Sequence, residues 1–318
     1  MNELSFTVLG PYACGKTTLL ACMNECFGAL MPGNFEAGDP ETFRLLTEAY
    51  RQLERDAQDD GDSLFFSGGV TGTDTDHHYR FNVKAGRSRI PLKFTDFPGE
   101  WLDPHDPENG AKYSEVERIA RESSVIIAVI DSPYLMHHGG MYSDEARIAE
   151  IEHVIENSLT DEEKLILIVP VKCERYLESE EDTELLLSTV KKHFAHTISL
   201  TCEASPYCGK LAAAILPVKT MGNVVFGRFE KKDGRILQVY RKIIGRKFHP
   251  EYTDQPLRYA LSFLLEGYRR KKSASLLGRL TMSRELEDVI DSVWSELRTD
   301  IPGSEIFCPE LLGLEEDV

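Results

Sequence analysis

The sequence predicts an α/β protein with a mostly parallel, doubly wound sheet, and three observations support this fold class. Apolar strand segments alternate with amphipathic helices over about the first 220 residues, the order expected for a parallel sheet covered by helices on both faces. Several strands are continuous apolar runs, as expected for strands buried on both sides. A glycine-rich phosphate-binding sequence joins the first strand to the first helix.

Each element has its own sequence signal. The predicted strands are residues 4–10, 77–85, 90–97, 124–131, 164–172 and 211–218. The predicted helices between them are residues 15–29, 41–59, 114–122, 143–158 and 182–196. Pro40 opens the second helix, since proline suits a first helical position, and this long amphipathic helix precedes the segment in which we expect a nucleotide-sensing loop.

After residue 222 the pattern changes. Residues 224–247 alternate in polarity around the turn Lys232-Asp233-Gly234, and an Asp-Gly pair is a strong hairpin signal. Residues 255–271 and 284–297 read as helices, and the first carries an apolar stripe that we expect to pack on the sheet. We therefore divide the chain into a P-loop domain, residues 1–222, and an appended hairpin with C-terminal helices, residues 223–318, packed on the same domain.

Composition narrows the class of protein. A chain of 318 residues with 42% hydrophobic residues can bury a sizeable core. No apolar run approaches the roughly 20 residues of a membrane-spanning helix, and the first residues do not resemble a signal peptide, so we expect a cytoplasmic protein without membrane binding. The net charge of -17 argues against broad nucleic-acid binding.

The charge is unevenly distributed. Residues 223–249 carry eight lysines and arginines against two acidic residues. This segment is either a docking face for a partner or a solvated hairpin whose basic residues balance an acidic body, and the second interpretation is the simpler one.

The phosphate-binding sequence is the most specific motif. Residues 10–17 read Gly10-Pro11-Tyr12-Ala13-Cys14-Gly15-Lys16-Thr17, which fits G-x-x-x-x-G-K-[ST] between a strand and a helix. Its backbone N–H groups can surround the α- and β-phosphates of a nucleotide at the positive end of a helix dipole. We expect Lys16 to reach the β- and γ-phosphates and the Thr17 hydroxyl to bind Mg²⁺. The predicted contacts here are Gly10, Tyr12, Ala13, Cys14, Gly15, Lys16, Thr17 and Thr18.

A second motif, Asp96-Phe97-Pro98-Gly99-Glu100, follows the third predicted strand. Asp96 is thereby placed at the carboxyl end of a strand, where α/β sheets bind ligands. There it can hold Mg²⁺ through water, while the Gly99 N–H can contact a γ-phosphate oxygen. Asp-x-x-Gly after a phosphate loop is the switch pattern of GTPases.

With these motifs, the chain resembles GTPases of the Ras-like and translation-factor class, and more closely the bacterial double-GTPase family found in conflict and defence gene clusters. Three further segments match in order and spacing: residues 168–174, residues 216–222 and the helix after Gln255-Pro256-Leu257. The likeness covers most of residues 1–270. It implies a P-loop GTPase domain over residues 1–222, GTP and Mg²⁺ as ligands, and a possible role in bacterial defence.

The resemblance also indicates how the base is recognised. Val171-Lys172-Cys173-Glu174 occupies the place of the Asn-Lys-x-Asp motif. It implies that the Lys172 stem packs on the base and that Glu174 accepts hydrogen bonds from guanine N1 and N2. A carboxylate there favours GTP over ATP, because adenine N1 is an acceptor. Val171 lacks the amide that ties this loop to the phosphate loop, and the turn at Thr220 offers backbone groups to the base.

A sensing loop is expected at residues 68–76. A threonine in this loop should complete the Mg²⁺ shell in the triphosphate state. Spacing to Asp96 favours Thr73, with Thr75 next and Thr71 also available.

Hydrolysis requires a positioned water and neutralised γ-phosphate charge. Glu100 stands where Ras-like enzymes carry a water-orienting glutamine, and its carboxylate can orient water but adds negative charge. Tyr12 stands where efficient enzymes keep glycine. Slow turnover is therefore expected, with Lys16 and Glu100 as the catalytic candidates and a partner's arginine, Arg80 or His105 as possible sources of positive charge.

Three functions remain open at this point. The leading hypothesis is a GTP-binding switch that hydrolyses GTP slowly and signals its state to a protein partner. A P-loop kinase is the second, although the sequence shows no Arg-rich lid helix. The third is an interaction module that binds nucleotide without turnover, which Tyr12 and Glu100 both permit.

Overall fold

The computed structural model describes residues 3–58, 65–66, 76–85, 88–103, 110–137, 142–232, 235–274, 288, 291 and 297–314. It confirms the predicted fold class, with a large, mostly parallel sheet between two layers of helices and a separate antiparallel hairpin. The strands are β1 Leu4–Leu9, β2 Phe35–Ala37, β3 Phe65–Phe66, β4 His77–Ala85, β5 Ser88–Asp96, β6 Val125–Asp131, β7 Lys164–Val171, β8 Leu211–Ile215, β9 Val224–Lys232, β10 Arg235–Lys242 and β11 Glu305–Phe307.

The large sheet has eight strands in the order β11-β8-β7-β6-β1-β5-β4-β2. The five central strands from β8 to β5 are mutually parallel, whereas β4, β2 and β11 run antiparallel to their neighbours. The carboxyl ends of β1, β5, β6 and β7 therefore meet at one edge of the sheet, which is where doubly wound sheets place their ligands.

Helices cover both faces of this sheet. They are α1 Lys16–Leu30, α2 Pro40–Gln58, α3 Gly110–Glu122, α4 Ser132–Met136, α5 Ile148–Ser158, α6 Glu180–His193, α7 Ala195–Ser199 and α8 Gln255–Ala274. Along β6, Ile127 and Val129 belong to the core beneath α1, α2 and α8, and the alternate residues Ile126 and Ala128 belong to the core beneath α3, α5 and α6. Both faces of β6 are thus buried, which explains its unbroken apolar sequence.

Some element boundaries differ from the sequence prediction. The prediction of one helix over residues 182–196 was wrong, because the structure has two helices there. Helix α6 ends at His193, the next residue, Phe194, has non-helical backbone angles and a side chain buried in the core, and α7 begins at Ala195. The helix predicted from residue 143 begins with a single 3-10 turn, Ser143–Ala146, before α5. Most of the helix predicted over residues 284–297 lies outside the described residues.

The hairpin of β9 and β10 projects from the large sheet, and the chain segments before and after it lie side by side at the turn of residues 220–222. It starts directly after the turn at residues 220–222, and the chain then comes back so that the His249 N–H donates to the Met221 carbonyl at 2.9 Å. Strand β3 adds a third strand to it, pairing with β10 at Val239 and Tyr240. The hairpin is therefore fixed at the carboxyl edge of the large sheet. Among the described residues, no helix is both long and apolar enough to cross a lipid bilayer.

A buried lysine stabilises the packing of α3 on the sheet. Lys164, the first residue of β7, donates from Nζ to the carbonyls of Ala120 at 2.7 Å and Ser123 at 2.6 Å, at the end of α3. Burial and, to a smaller extent, the nearby charge of Arg121 lower the pKa of Lys164 to about 8.

This pKa predicts a pH dependence of stability. An unfolded lysine has a pKa of about 10.4, so between about pH 8 and pH 10 the unfolded chain binds more protons than the folded chain and stability rises with pH. The free energy of unfolding of the wild type, relative to Lys164→Met, should increase by about 1 to 2 kcal/mol across this window. Urea unfolding of the wild type and of Lys164→Met at about pH 8 and pH 10 measures the difference between their free energies of unfolding. Groups that titrate equally in both proteins cancel in this difference. An unchanged difference would contradict the assignment.

Candidate nucleotide-binding site

The phosphate loop, residues 10–15, connects β1 to α1 at the carboxyl edge of the sheet. Gly15 precedes the first helical residue with φ of 115°, a backbone conformation that favours glycine. No side chain caps the first turn of α1, and this turn contains no acidic residue. Its N–H groups are thus left for an anion, as at other phosphate-binding helix termini.

Lys16 closes over the loop. Its side chain is buried, with 7% of the residue exposed, and Nζ donates to the carbonyls of Gly10 at 3.0 Å and Pro11 at 3.1 Å. Both acceptors are neutral backbone carbonyls, so neither of them offsets the positive charge next to the loop. Phosphate oxygens are stronger acceptors for such a cation than carbonyls are.

Thr17 and Asp96, which the sequence analysis names as Mg²⁺ ligands, lie within hydrogen-bond distance of each other. The Thr17 hydroxyl donates to Asp96 Oδ2 at 3.3 Å, and Asp96 is fully buried at the end of β5. Burial raises the pKa of Asp96, and this is opposed by the charge of Lys16 and the hydrogen bond from Thr17. Asp96 Oδ1 is buried and has no hydrogen-bond partner among the described residues. A threonine hydroxyl beside an unsatisfied carboxylate oxygen suits the hard oxygen coordination of Mg²⁺.

Tyr79 is a member of this group that the sequence reasoning missed. It lies on β4 with 2% of its surface exposed and is hydrogen-bonded to the Thr17 side chain. Burial and the neighbouring Asp96 carboxylate raise the pKa of Tyr79. The pairing of β4 with β5 sets His77 opposite Asp96 and brings Tyr79 to the same edge. The sequence shows β4 as a strand but does not show which strand it adjoins.

Gly99 lies directly against the phosphate loop. A Cβ atom at this position would stand 2.0 Å from the backbone nitrogen of Tyr12 and 2.3 Å from the carbonyl carbon of Pro11, so only glycine fits. Glu100, the next residue, is exposed, and Tyr12 is 54% exposed. The structure therefore brings Gly99, Glu100 and Tyr12 together at the phosphate end of the site.

Lys172 links the base motif to the phosphate loop. It follows β7 with a left-handed φ of 60°, and its Nζ donates to the Ala13 carbonyl at 3.2 Å. The same ammonium contacts Asp131 Oδ2, at the end of β6, at 2.5 Å. Asp131 is completely buried, so this is an ion pair removed from water. The stem of Lys172 is held across the edge of the site.

Glu174 and Thr220 are also brought together. Glu174 is 3% exposed, and its Oε1 accepts from the N–H groups of Met221 at 2.7 Å and Gly222 at 3.2 Å and from the Thr220 hydroxyl at 3.5 Å. Burial raises the pKa of Glu174, and these donors oppose the shift. The carboxylate thus shapes the turn at residues 220–222, a role that the sequence did not indicate.

Gln238 of β10 is the second residue that the sequence reasoning missed. It is 2% exposed, donates from Nε2 to Asp131 Oδ1 at 2.9 Å and accepts from Lys172 Nζ at 2.9 Å. Its only sequence signal is a polar residue in an alternating strand, which does not separate a buried position from an exposed one.

Other predicted residues are not part of this group or cannot be placed. Thr71, Thr73, Thr75 and His105 lie outside the described residues. Arg80 is described on β4, where its guanidinium lies 3.9 Å from carboxylate oxygens of both Glu3 and Asp39. The remaining predicted contacts, Cys14 and Thr18, lie in the phosphate loop and the first turn of α1.

A search of curated proteins found no match to the chain. A comparison with protein-family models did find one. Residues 6–207, well over half of the chain, match the model of a protein family described as Double-GTPase 2. The matched region includes the phosphate loop, Asp96, Lys172 and Glu174 and ends before Thr220 and the hairpin. A GTPase family implies guanine-nucleotide binding. The phosphate loop, the buried Thr17–Asp96 pair and this match lead to one conclusion: the chain belongs to the Double-GTPase 2 family.

Proposed function

We propose that the chain is a GTP-binding switch that hydrolyses GTP slowly in the presence of Mg²⁺ and signals its nucleotide state to a protein partner. The observation that carries this proposal is the meeting of Lys16 with the Thr17–Asp96 pair at an uncapped helix terminus. Residues 1–222 form the GTPase domain in this proposal, and residues 223–318 are an addition to it. The partner, the cytoplasmic location and a role in bacterial defence rest on the family resemblance and on composition.

Phosphate binding uses groups that are already in place. The uncapped N–H groups of the first turn of α1 would bind an anion, and Lys16 would exchange the carbonyls of Gly10 and Pro11 for β- and γ-phosphate oxygens. This exchange replaces neutral acceptors with charged ones, which strengthens each hydrogen bond.

Thr17 and Asp96 are the residues that would hold Mg²⁺. The fit rests on Asp96 Oδ1, which has no hydrogen-bond partner in the part of the chain that the structure describes, and on the adjacent Thr17 hydroxyl. The ion would neutralise charge on the β- and γ-phosphates. Tyr79 holds the Thr17 side chain from the β4 side and excludes water from this buried end of the site.

Guanine selection is proposed for Lys172, Glu174 and the turn at Thr220. The Lys172 stem is fixed by the Ala13 carbonyl and Asp131, so it provides a rigid surface for a base. Glu174 sits beside it and accepts hydrogen bonds from the turn. A carboxylate here accepts hydrogen bonds from the N–H groups of guanine, whereas it is repelled by the acceptor nitrogen N1 of adenine.

Slow hydrolysis follows from the residues at the phosphate end. Gly99 lies against the loop at Tyr12, and the Tyr12 side chain is exposed. In this proposal the side chains of Tyr12 and of Glu100, the residue after Gly99, flank the water that attacks the γ-phosphate. The bulk of Tyr12 obstructs that water, and the Glu100 carboxylate adds negative charge. The same two residues favour one alternative function, a nucleotide-binding interaction module without turnover.

Loss of the Lys16 ammonium should abolish tight nucleotide binding without unfolding the protein. Lys16→Ala is expected to weaken Mg-GTP binding by about 100-fold, as for loss of charged hydrogen bonds. Isothermal titration calorimetry measures the affinity, and circular dichroism checks the fold. Lys231→Ala, at an exposed lysine of β9, is the matched control and should bind like the wild type. Retained GTP affinity in Lys16→Ala would count against the site.

Guanine preference can be tested at Glu174. Wild-type protein should bind Mg-GTP at least about tenfold more tightly than Mg-ATP, and Glu174→Gln should remove most of this ratio because the amide presents a donor to the base. The amide oxygen can still accept from the Met221 N–H, which preserves the turn. An unchanged ratio in Glu174→Gln would mean that the carboxylate only shapes the turn.

Turnover can be tested at Tyr12 and Glu100. Single-turnover release of phosphate from bound GTP should be slow in the wild type and should rise by about tenfold in Tyr12→Gly and in Glu100→Gln, because each change removes a stated obstacle. Tight GTP binding with no phosphate release over hours, in the wild type and in both variants, would select the interaction module instead.

A further inference from the structure

A buried set of polar side chains connects the hairpin to the phosphate loop. It consists of Asp131 from β6, Lys172 after β7, and Gln238 and Tyr240 from β10, and we call it the Gln238 network. Three separate segments of the chain meet in it. All four side chains are buried or nearly so, with Lys172 the most exposed at 14% of its side chain.

Within the Gln238 network, the hydrogen bonds of Lys172 are saturated. An ammonium has three donors, and Nζ of Lys172 has three acceptors: Ala13 O at 3.2 Å, Asp131 Oδ2 at 2.5 Å and Gln238 Oε1 at 2.9 Å. The position of the ammonium is therefore determined by one acceptor from the phosphate loop, one from the sheet and one from the hairpin.

Gln238 has two roles in this arrangement. Its carbonyl accepts from Lys172 and also from the Tyr240 hydroxyl, while its Nε2 donates to Asp131 Oδ1 at 2.9 Å. Asp131 and Lys172 are thus bridged by one side-chain amide. The side-chain amide supplies both a donor and an acceptor at this place, whereas an aliphatic side chain would leave one Lys172 donor and one Asp131 oxygen with fewer partners.

The hairpin is also tied to the base turn along the backbone. Strand β9 begins two residues after Gly222, and the returning chain pairs His249 with Met221 and Glu251 with Lys219. On the other side, β3 pairs with Val239 and Tyr240, next to Gln238. The hairpin and the turn at residues 220–222 consequently form one unit at the edge of the site.

We propose that Gln238 is a positioning residue: the hairpin supplies the amide that holds the Lys172 stem in place for the nucleotide base, and so the hairpin is part of the nucleotide site. This inference rests on the proposed function. Val171, beside Lys172, is aliphatic and lacks the side-chain amide that the family resemblance leads one to expect there. In this proposal the amide of Gln238 takes over the part of holding the edge of the site together. This inference also implies that nucleotide affinity depends on a strand that lies outside the region matched by the family.

Apolar contacts also attach the hairpin. Val224, Phe226 and the ring of Tyr240 form a buried cluster, and Phe229 stacks on Tyr134 of α4 with ring centroids 5.0 Å apart. These apolar contacts should keep the hairpin docked when Gln238 is replaced by methionine, a side chain of similar length. The consequences for the nucleotide are therefore separable from loss of the fold.

The test is the affinity of full-length protein for a fluorescent GDP analogue with Mg²⁺. Gln238→Met should weaken binding by about 10- to 100-fold, in line with the loss of hydrogen bonds to charged groups. The melting temperature without nucleotide checks that the variant is folded. Gln52→Met removes a glutamine that hydrogen-bonds to Asp56 on the exposed face of α2 and should bind like the wild type.

A double-mutant cycle separates positioning from a general effect. If Gln238 acts through Lys172, then in a Lys172→Met background the further change Gln238→Met should add less than about a twofold loss. Full additivity of the two losses would show that Gln238 does not act through Lys172 and would overturn the proposal. Wild-type affinity in Gln238→Met would overturn it directly.

Failure of the proposed function gives a different result. Wild-type protein that binds an adenine analogue in preference to GDP would refute the guanine assignment, and the same cycle measured with that adenine analogue would still confirm or overturn the role of Gln238. Wild-type protein that binds neither analogue would overturn both proposals.

Discussion

The site depends on one constraint: the carbonyl groups of the phosphate loop are held by two lysines. Lys16 binds those of Gly10 and Pro11, and Lys172 binds that of Ala13. With these carbonyls engaged, the N–H groups of the first turn of α1, which no side chain caps, are the donors left for an anion. The hydrogen bonds of the protein itself thus hold the loop in place. A phosphate would compete only with the neutral carbonyls of Gly10 and Pro11 for the Lys16 ammonium.

The large sheet makes this arrangement possible by bringing the carboxyl ends of four strands to one edge. Asp96 and Asp131 end two of these strands, and both are fully buried. A buried carboxylate is costly unless it is paired. Asp131 is paired by Lys172 and Gln238. Among the described residues, Asp96 has a hydrogen bond from Thr17 at one oxygen and no hydrogen-bond partner at the other. This contrast supports the proposal that Asp96 binds a metal ion while Asp131 holds Lys172 in place.

Local features of this fold were predictable from the sequence, and contacts between distant segments were not. The strand, phosphate loop and first helix are consecutive in the chain, and Asp96 ends a recognisable strand, so pattern and spacing were sufficient for them. Tyr79 reaches Thr17 only because β4 adjoins β5, an order that single-strand patterns do not contain. Gln238 lies 66 residues after Lys172, and Glu174 is 47 residues before the Met221 N–H that it binds. Such pairings depend on how whole elements pack. The threonine predicted to sense the γ-phosphate, Thr73, stays a prediction.

In the proposed binding step, Lys16 releases the carbonyls of its own loop to bind phosphate while Lys172 stays attached to the loop. A crystal structure with Mg²⁺ and a non-hydrolysable GTP analogue would show both lysines. We predict that Lys16 Nζ leaves the carbonyls of Gly10 and Pro11 for phosphate oxygens, that Thr17 and Asp96 lie at the metal, and that Lys172 keeps its contact with Ala13. A bound analogue with Lys16 still on its carbonyls, or bound away from Asp96, would contradict the account.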